Sequence, residues 1–269
     1  MALQAGTLQG QFAATESVTR QSITQLETGG CIYAHQREAI LAVQDRFELQ
    51  QEDLPLGAPF GVAAISIPTG GGRSGIYVLM AYLRRARNVL VIASSLEFTN
   101  QLHMDFCSGG VHALVIRRGI FRQEDIPLVL PPLNGTKAIR TSDLSAITDV
   151  NNVFPHNQTL LVVYAQKFTG GAGVNLENIQ RNFFDLIIVD EAQHYPVETW
   201  NRIIDHFGPN PDNNNQARIL FGTTTTDAAP PYVPPLEVEI ALTPSIVAPS
   251  IVYTLTMNEA IQRGIIPQL

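Results

Sequence analysis

The stretch AAISIPTGGGRSG, residues 63–75, constrains this chain more than any other. Residues 62–67 form an apolar run that reads as a buried strand. The run breaks at Pro68-Thr69 into Gly70, Gly71 and Gly72, followed by Arg73, Ser74, Gly75 and the helix-permissive segment IYVLMAYLRRA. Strand, glycine loop and helix start are the layout of a phosphate-binding loop. Glycines let the backbone curl so that several N–H groups face an anion, and the helix N-terminus adds partial positive charge. The strict pattern G-x-x-x-x-G-K-[ST] is not met. Ile67 stands at the first glycine and Arg73 at the lysine, while Gly72 and Ser74 fit. On its own the stretch reads equally as a Gly-rich turn between a strand and a helix.

A second stretch, LIIVDEAQH at residues 186–194, shifts that balance. Asp190 follows Ile187, Ile188 and Val189 at the end of an apolar strand. Open α/β sheets place ligands outside the carboxyl ends of their strands, so the glycine loop and Asp190 can converge there. An acid in this position holds Mg²⁺, directly or through water, in enzymes with such loops. Glu191 is the next residue and is expected to point elsewhere. Its carboxylate can accept a proton from water attacking a γ-phosphate. Without the loop, the pair would read as a solvated strand end or a helix N-cap.

The rest of the chain fits around these two stretches. Apolar strands are expected over 62–67, 88–93, 160–164, 186–190 and 218–222, with further strands at HALVIRR (112–118) and SIVYTLT (250–256). Helices are expected over 18–26, over the segment CIYAHQREAILAVQDRFEL, over 75–85, over 96–106, near 142–147, over 196–207 and at MNEAIQRGI, where Gly264 is the stop. Strands alternating with helices imply an α/β fold, a parallel sheet with helices on both faces. Residues 1–30, rich in Gln, Thr and Ser, read as a polar N-terminal extension, with one domain over 31–269. The 269 residues are enough for a full core.

The formal charge of −7 excludes a globally basic nucleic-acid surface, so any such binding must be local. Cys31 and Cys107 have no metal spacing, and a zinc site or disulfide framework is not expected. No signal-peptide pattern and no apolar run of about 18 residues is present, which reads as an intracellular protein, cytoplasmic or nuclear, without a membrane partner. His35, His103, His112, His156 and His206 show no metal spacing and receive no function. Tyr195 and Trp200 read as packing residues, and Arg84, Arg85 and Arg87 as a solvated helix end.

Taken together, residues 32–267 resemble the first RecA-like domain of superfamily 2 DEAD/DEAH-type helicases, close to the type III restriction enzyme res-subunit group. IYAHQREAI is similar to the adenine-side segment, with Gln36 in place. IPTGGGRS resembles PTG-x-GKT, NVLVIASSLEFTNQ resembles motif Ia with Glu97 and Gln101, and FFDLIIVDEAQH is the most specific match. ILFGTTTTD resembles motif III, and YTLTMNEAIQRGIIP resembles the segment that ends the domain. The resemblance implies a P-loop NTPase fold with the motif III strand between the strands bearing the glycine loop and Asp190.

It further implies ATP and Mg²⁺ as cofactors, with Gln36, Thr69, Gly70, Gly71, Gly72, Arg73 and Ser74 binding nucleotide. Ser74 and Asp190 would hold the metal and Glu191 would be the catalytic base. Gln193, His194, Thr223 and Thr225 would couple nucleotide to nucleic acid. DNA or RNA is the implied partner, bound weakly.

Departures from the family pattern matter as much. Arg73 replaces lysine with a bulkier planar fork. Ser94 and Ser95 stand where motif Ia carries Pro-Arg, Tyr164 stands where threonine is common, and motif III has lost its Ala-Thr-Pro ending. A second RecA-like domain, with its arginine fingers, is not expected within the chain and would have to be supplied in trans. Two readings follow: a helicase-like ATPase, weakly active in isolation, or a degenerate non-catalytic nucleotide-binding or scaffold protein. A P-loop kinase or other NTPase is a third, which DEAQH and the Gln36 segment oppose.

Overall fold

The apolar runs that become β-strands over 62–66, 88–93, 186–189 and 218–223 are buried almost throughout, which is what a parallel sheet covered on two faces requires. The computed structural model describes residues 20–54, 59–86, 88–106, 114–120, 137–141, 159–164, 180–192, 202, 205–209, 216–224 and 251–267. Among the described residues, seven strands lie in one sheet: β1 (Val62–Ser66), β2 (Asn88–Ala93), β3 (Lys137–Thr141), β4 (Thr159–Tyr164), β5 (Leu186–Val189), β6 (Arg218–Thr223) and β7 (Ile251–Thr254). Their order is β3-β4-β2-β5-β6-β1-β7, and every pairing is parallel. The strand of the motif III segment, β6, does lie between the strand that feeds the glycine loop and the strand that ends at Asp190.

The described helices are α1 (Arg20–Thr28), α2 (Ala34–Glu48), α3 (Arg73–Leu83), α4 (Leu96–Phe106), a single turn α5 (Leu114–Arg117) and α6 (Met257–Gln262). Strand alternation sorts the sheet into two faces. Ile65, Val91, Val162, Ile188 and Leu220 share one core with Ile40 and Val43 of α2 and with Tyr77 and Met80 of α3. Their neighbours Leu90, Ile92, Ile187, Val189, Ile219 and Phe221 face the other way and are buried as well. Helix α3 is buried almost throughout, which explains its apolar composition on every side. Helix α6 has the expected cap and stop. The Glu259 amide donates to the Thr256 hydroxyl at 3.2 Å, and Gly264 adopts a φ of +67°.

Three local expectations are revised. HALVIRR is not a strand: residues 114–117 close a helical turn, with the Arg118 amide donating to the Leu114 carbonyl at 2.9 Å. Both neighbours of β2 are already β4 and β5, so the next apolar run cannot pair there. Second, β3 was not expected, because KAIRT is a mixed sequence at the sheet edge and carries no apolar run. Third, α1 falls within the stretch read as an extension, yet Ile23 is fully buried in the main core. Glu27 of α1 also pairs with Arg37 of α2 at 3.2 Å. The helices expected near 142–147 and over most of 196–207 lie outside the described residues.

If α1 is integral to the core, Ile23→Ala will destabilise the chain by about 2–5 kcal/mol. Urea unfolding followed by circular dichroism measures this. A loss within about 0.5 kcal/mol, the size usual for surface positions, would make α1 an appendage after all.

Candidate functional site

The glycine loop leaves β1 at Ser66 and enters α3 at Arg73. Gly72 is the N-cap of α3, with φ +78°, a left-handed conformation that a side chain resists. A Cβ on Gly72 would also lie 2.6 Å from Gln36 Nε2. That close approach has a use. Gln36 Nε2 donates to the Gly72 carbonyl at 2.8 Å, while Gln36 Oε1 accepts from the Tyr33 amide at 3.0 Å. One amide side chain thus ties the start of α2 to the end of the loop. His35 makes a parallel tie, its Nε2 lying 2.7 Å from the Gly71 carbonyl. A carbonyl can only accept, so Nε2 carries the proton. His35, given no function from the sequence, therefore holds the loop. Its only sequence signal is adjacency to Gln36.

At the other end of the site, parity along β5 decides which way the acids face. Ile188 lies on the α3 side, so Asp190, two residues on, does too. Parity would send Glu191 to the opposite face, as the sequence reading expected. That expectation is corrected by the backbone. The strand ends at Val189, and Glu191 adopts φ +56°, outside strand geometry. Both carboxylates then meet one guanidinium: Arg73 Nε lies 3.4 Å from Asp190 Oδ1, and Arg73 Nη2 donates to Glu191 Oε1. All three residues are buried, at 8%, 5% and 5% exposure, so the charges are shielded from water. The third nitrogen, Arg73 Nη1, is buried without a hydrogen-bond partner.

Tyr77 completes the cluster and was missed from sequence. It lies one helical turn beyond Arg73, on the same side of α3. Its hydroxyl donates to Asp190 Oδ1 at 2.7 Å. Room for that hydroxyl exists because residue 222 is glycine; a Cβ there would lie 1.6 Å from Tyr77 Oη. Burial raises the Tyr77 hydroxyl well above its ordinary value, with the Asp190 charge adding to the effect, so Tyr77 remains a proton donor. Burial also raises the Asp190 carboxyl, against the opposing pull of Arg73.

The remaining expected residues divide. Thr69 and Gly70 are exposed at the lip of the loop. Ser74 stands beside the carboxylate of Asp105 on α4, which pairs with Arg117 of α5. Ser74 and Asp190 thus have different neighbours. The carbonyl of Thr223 accepts from the Ile67 amide at 3.0 Å, tying β6 to the strand before the loop. Gln193, His194 and Thr225 lie outside the described residues. A cavity of about 500 Å³ runs past Ser74 and is lined also by Glu97, Asp105, Arg117 and Arg118.

Two adjacent carboxylates are a suitable donor set for a hard divalent ion. As arranged, however, they do not fit one. The guanidinium stands against both, and the Asp190 oxygen nearest it already accepts from Tyr77. Among the described residues, no group of three or more His, Cys, Asp or Glu could hold a metal ion.

Residues 31–227 match the family described as type III restriction enzyme, res subunit. Among solved structures, the Hef helicase domain of Pyrococcus furiosus is similar at 16% identity. That match covers 64% of this chain and 31% of that one, with a TM-score of 0.42. A nuclease-deletion mutant of the type ISP restriction-modification enzyme LlaGI, in complex with a DNA substrate mimic, is similar at 15% identity. It covers 87% of this chain and 20% of that one, with a TM-score of 0.49. The chain spans less than a third of either protein. No curated protein matches. Among the described residues, no helix is long and apolar enough to cross a membrane.

Burial lowers the proton affinity of His35, against the opposing pull of the Gly71 carbonyl. The unfolded chain therefore takes up this proton first. Native stability should fall as pH drops through the unfolded value of about 6.5 and level off below the depressed native value. Urea titrations across that range should show this component in the wild type and its loss in His35→Gln. An unchanged pH dependence in His35→Gln would remove the buried imidazole as its source.

Proposed function

The chain belongs to the type III restriction enzyme res subunit family, and from that premise we propose that it is a helicase-like ATP-binding domain with little or no turnover by itself. The observation that carries the reading is convergence. The glycine loop after β1 and the carboxylates after β5 meet at the C-terminal ends of strands separated only by β6. Helicase-like domains generally use ATP and Mg²⁺. In this reading Thr69, Gly70, Gly71, Gly72, Arg73 and Ser74 receive the phosphates, and Gln36 lies toward the adenine. Gln193, His194, Thr223 and Thr225 link the nucleotide to nucleic acid. The protein would work inside the cell, where nucleoside triphosphates and nucleic acids are found.

Charge placement argues for poor turnover. Phosphoryl transfer depends on cations fixed where negative charge develops. Arg73 offers a planar fork rather than a compact ammonium, and the Nε–Nη2 edge of that fork is already spent on Asp190 and Glu191. Glu191, the candidate base, is held by the same guanidinium and is not presented to water. A second RecA-like domain supplied in trans would be the source of further cations. The degenerate, non-catalytic reading draws on the same cluster and differs only in whether any turnover remains.

Calorimetric titration with ATP and steady-state hydrolysis test the reading together. The expected result is measurable ATP binding with hydrolysis near background, with or without DNA or RNA. Arg73→Lys should raise hydrolysis if the missing ammonium is the defect. Robust hydrolysis by the unmodified chain, abolished in Glu191→Gln, would instead establish an active ATPase.

Nucleic-acid binding should be weak and strongly suppressed by salt, because the chain carries a formal charge of −7 and any contact must come from a local patch. Fluorescence anisotropy with labelled single-stranded DNA and RNA across a salt series measures this. Tight, sequence-specific binding at physiological salt would contradict it.

A further inference from the structure

We propose that Arg73 and Tyr77 together fill the cation place of this site, so that the chain excludes a divalent ion from Asp190 and Glu191 and binds a polyphosphate without one. The proposal deepens the nucleotide reading, and rests on it only for the polyphosphate; exclusion of the ion stands on the cluster alone. Four observations converge. One guanidinium contacts both carboxylates, through Nε to Asp190 Oδ1 at 3.4 Å and through Nη2 to Glu191 Oε1. The Tyr77 hydroxyl donates to the same Asp190 oxygen at 2.7 Å, in a space that only glycine at 222 leaves open. Ser74, the hydroxyl that would share a metal with Asp190, stands beside Asp105 instead. Finally, Arg73 Nη1 is buried without a partner.

The chemistry of those groups explains the division of labour. A divalent ion between two carboxylates supplies charge and fixes acceptor oxygens. Here the guanidinium supplies a fixed positive charge, and two donors fix the acceptors. An ion could enter only by displacing a bidentate contact and a hydroxyl from a water-poor site. The unpartnered Nη1 is the donor left for an anion, at the first residue of α3, where the helix N-terminus also favours negative charge. A phosphate oxygen is the acceptor that suits a guanidinium best.

Two measurements on the unmodified chain test this, and a variant sharpens them. Mn²⁺ serves as the probe ion, because the paramagnetic resonance signal of the free ion is lost on binding. The wild-type chain should leave that signal unchanged. The double variant Arg73→Gln with Tyr77→Phe, checked for folding by circular dichroism, should bind about one equivalent, and adding Asp190→Asn should abolish it. Mn²⁺ bound by the wild type and lost in Asp190→Asn would overturn the proposal. So would a folded double variant that binds none, since Arg73 and Tyr77 would then not be what bars the ion. In parallel, ATP affinity should agree within about twofold between excess Mg²⁺ and EDTA, whereas tightening by about tenfold with Mg²⁺ would overturn the proposal. Failure to bind ATP in both conditions would defeat the nucleotide reading and the polyphosphate half of this one, while the Mn²⁺ titration still decides the exclusion of the ion. Both wild-type measurements stand if the double variant fails to fold.

Discussion

The Arg73 guanidinium, held between Asp190 and Glu191, is the constraint around which the site is built. It joins residues 118 positions apart in sequence, one at the start of α3 and the other just beyond β5. Neither side could be buried without the other. A buried charge stripped of its partner typically costs about 3–5 kcal/mol, whereas a satisfied cluster need not stabilise the fold at all. Arg73 is therefore best understood as required by the carboxylates, and the carboxylates by whatever the site does. The surrounding packing accommodates this demand. Gly222 makes room for Tyr77, whose hydroxyl takes up Asp190, and His35 and Gln36 hold the loop from the side of α2.

Topology makes that cluster possible. With β6 between β1 and β5, the loop and the acids emerge at the same end of the sheet, two strand spacings apart, or about 10 Å. An arginine side chain on the first turn of a helix can cross much of that distance. The β5–β6 register pairs Val189 with Phe221, which sets Asp190 beside Gly222. A shift of one residue in that pairing would turn Asp190 away from α3 and leave Tyr77 without its acceptor.

Much of this fold was legible in the sequence, because buried parallel strands announce themselves as short apolar runs. VAAIS, NVLVIA and LIIV needed no context to be read. The failures have local causes. KAIRT is a mixed edge strand, recognisable only once β4 is there to pair with it. LVIR has the β-branched composition of a strand but no free position beside β2. In the site, composition identified the loop and the acid pair, yet period-two reasoning misplaced Glu191, since a left-handed residue at the end of a strand breaks the alternation. Tyr77 was hidden for another reason. Within the segment IYVLMAYL it looks like one more apolar helix residue, and its role depends on the absence of a side chain at position 222 on a distant strand.

Exceptions to ordinary packing rules occur in several places, among them Arg85 at φ +49° and the buried Arg46, but four kinds of them meet at one site. A non-glycine residue at positive φ, a buried arginine, two adjacent buried carboxylates and an unpartnered donor all occur within one cluster. Natural sequences keep such local conflicts mainly where a site requires them. A protein that retained only the fold would be free to replace Asp190 and Glu191 with apolar residues and gain stability by doing so. The acids are instead present with Arg73 and Tyr77 set against them. This is the arrangement the proposed anion site calls for: a guanidinium with one edge committed to carboxylates leaves its buried Nη1 unpartnered, and it is poorly arranged to release a base to water.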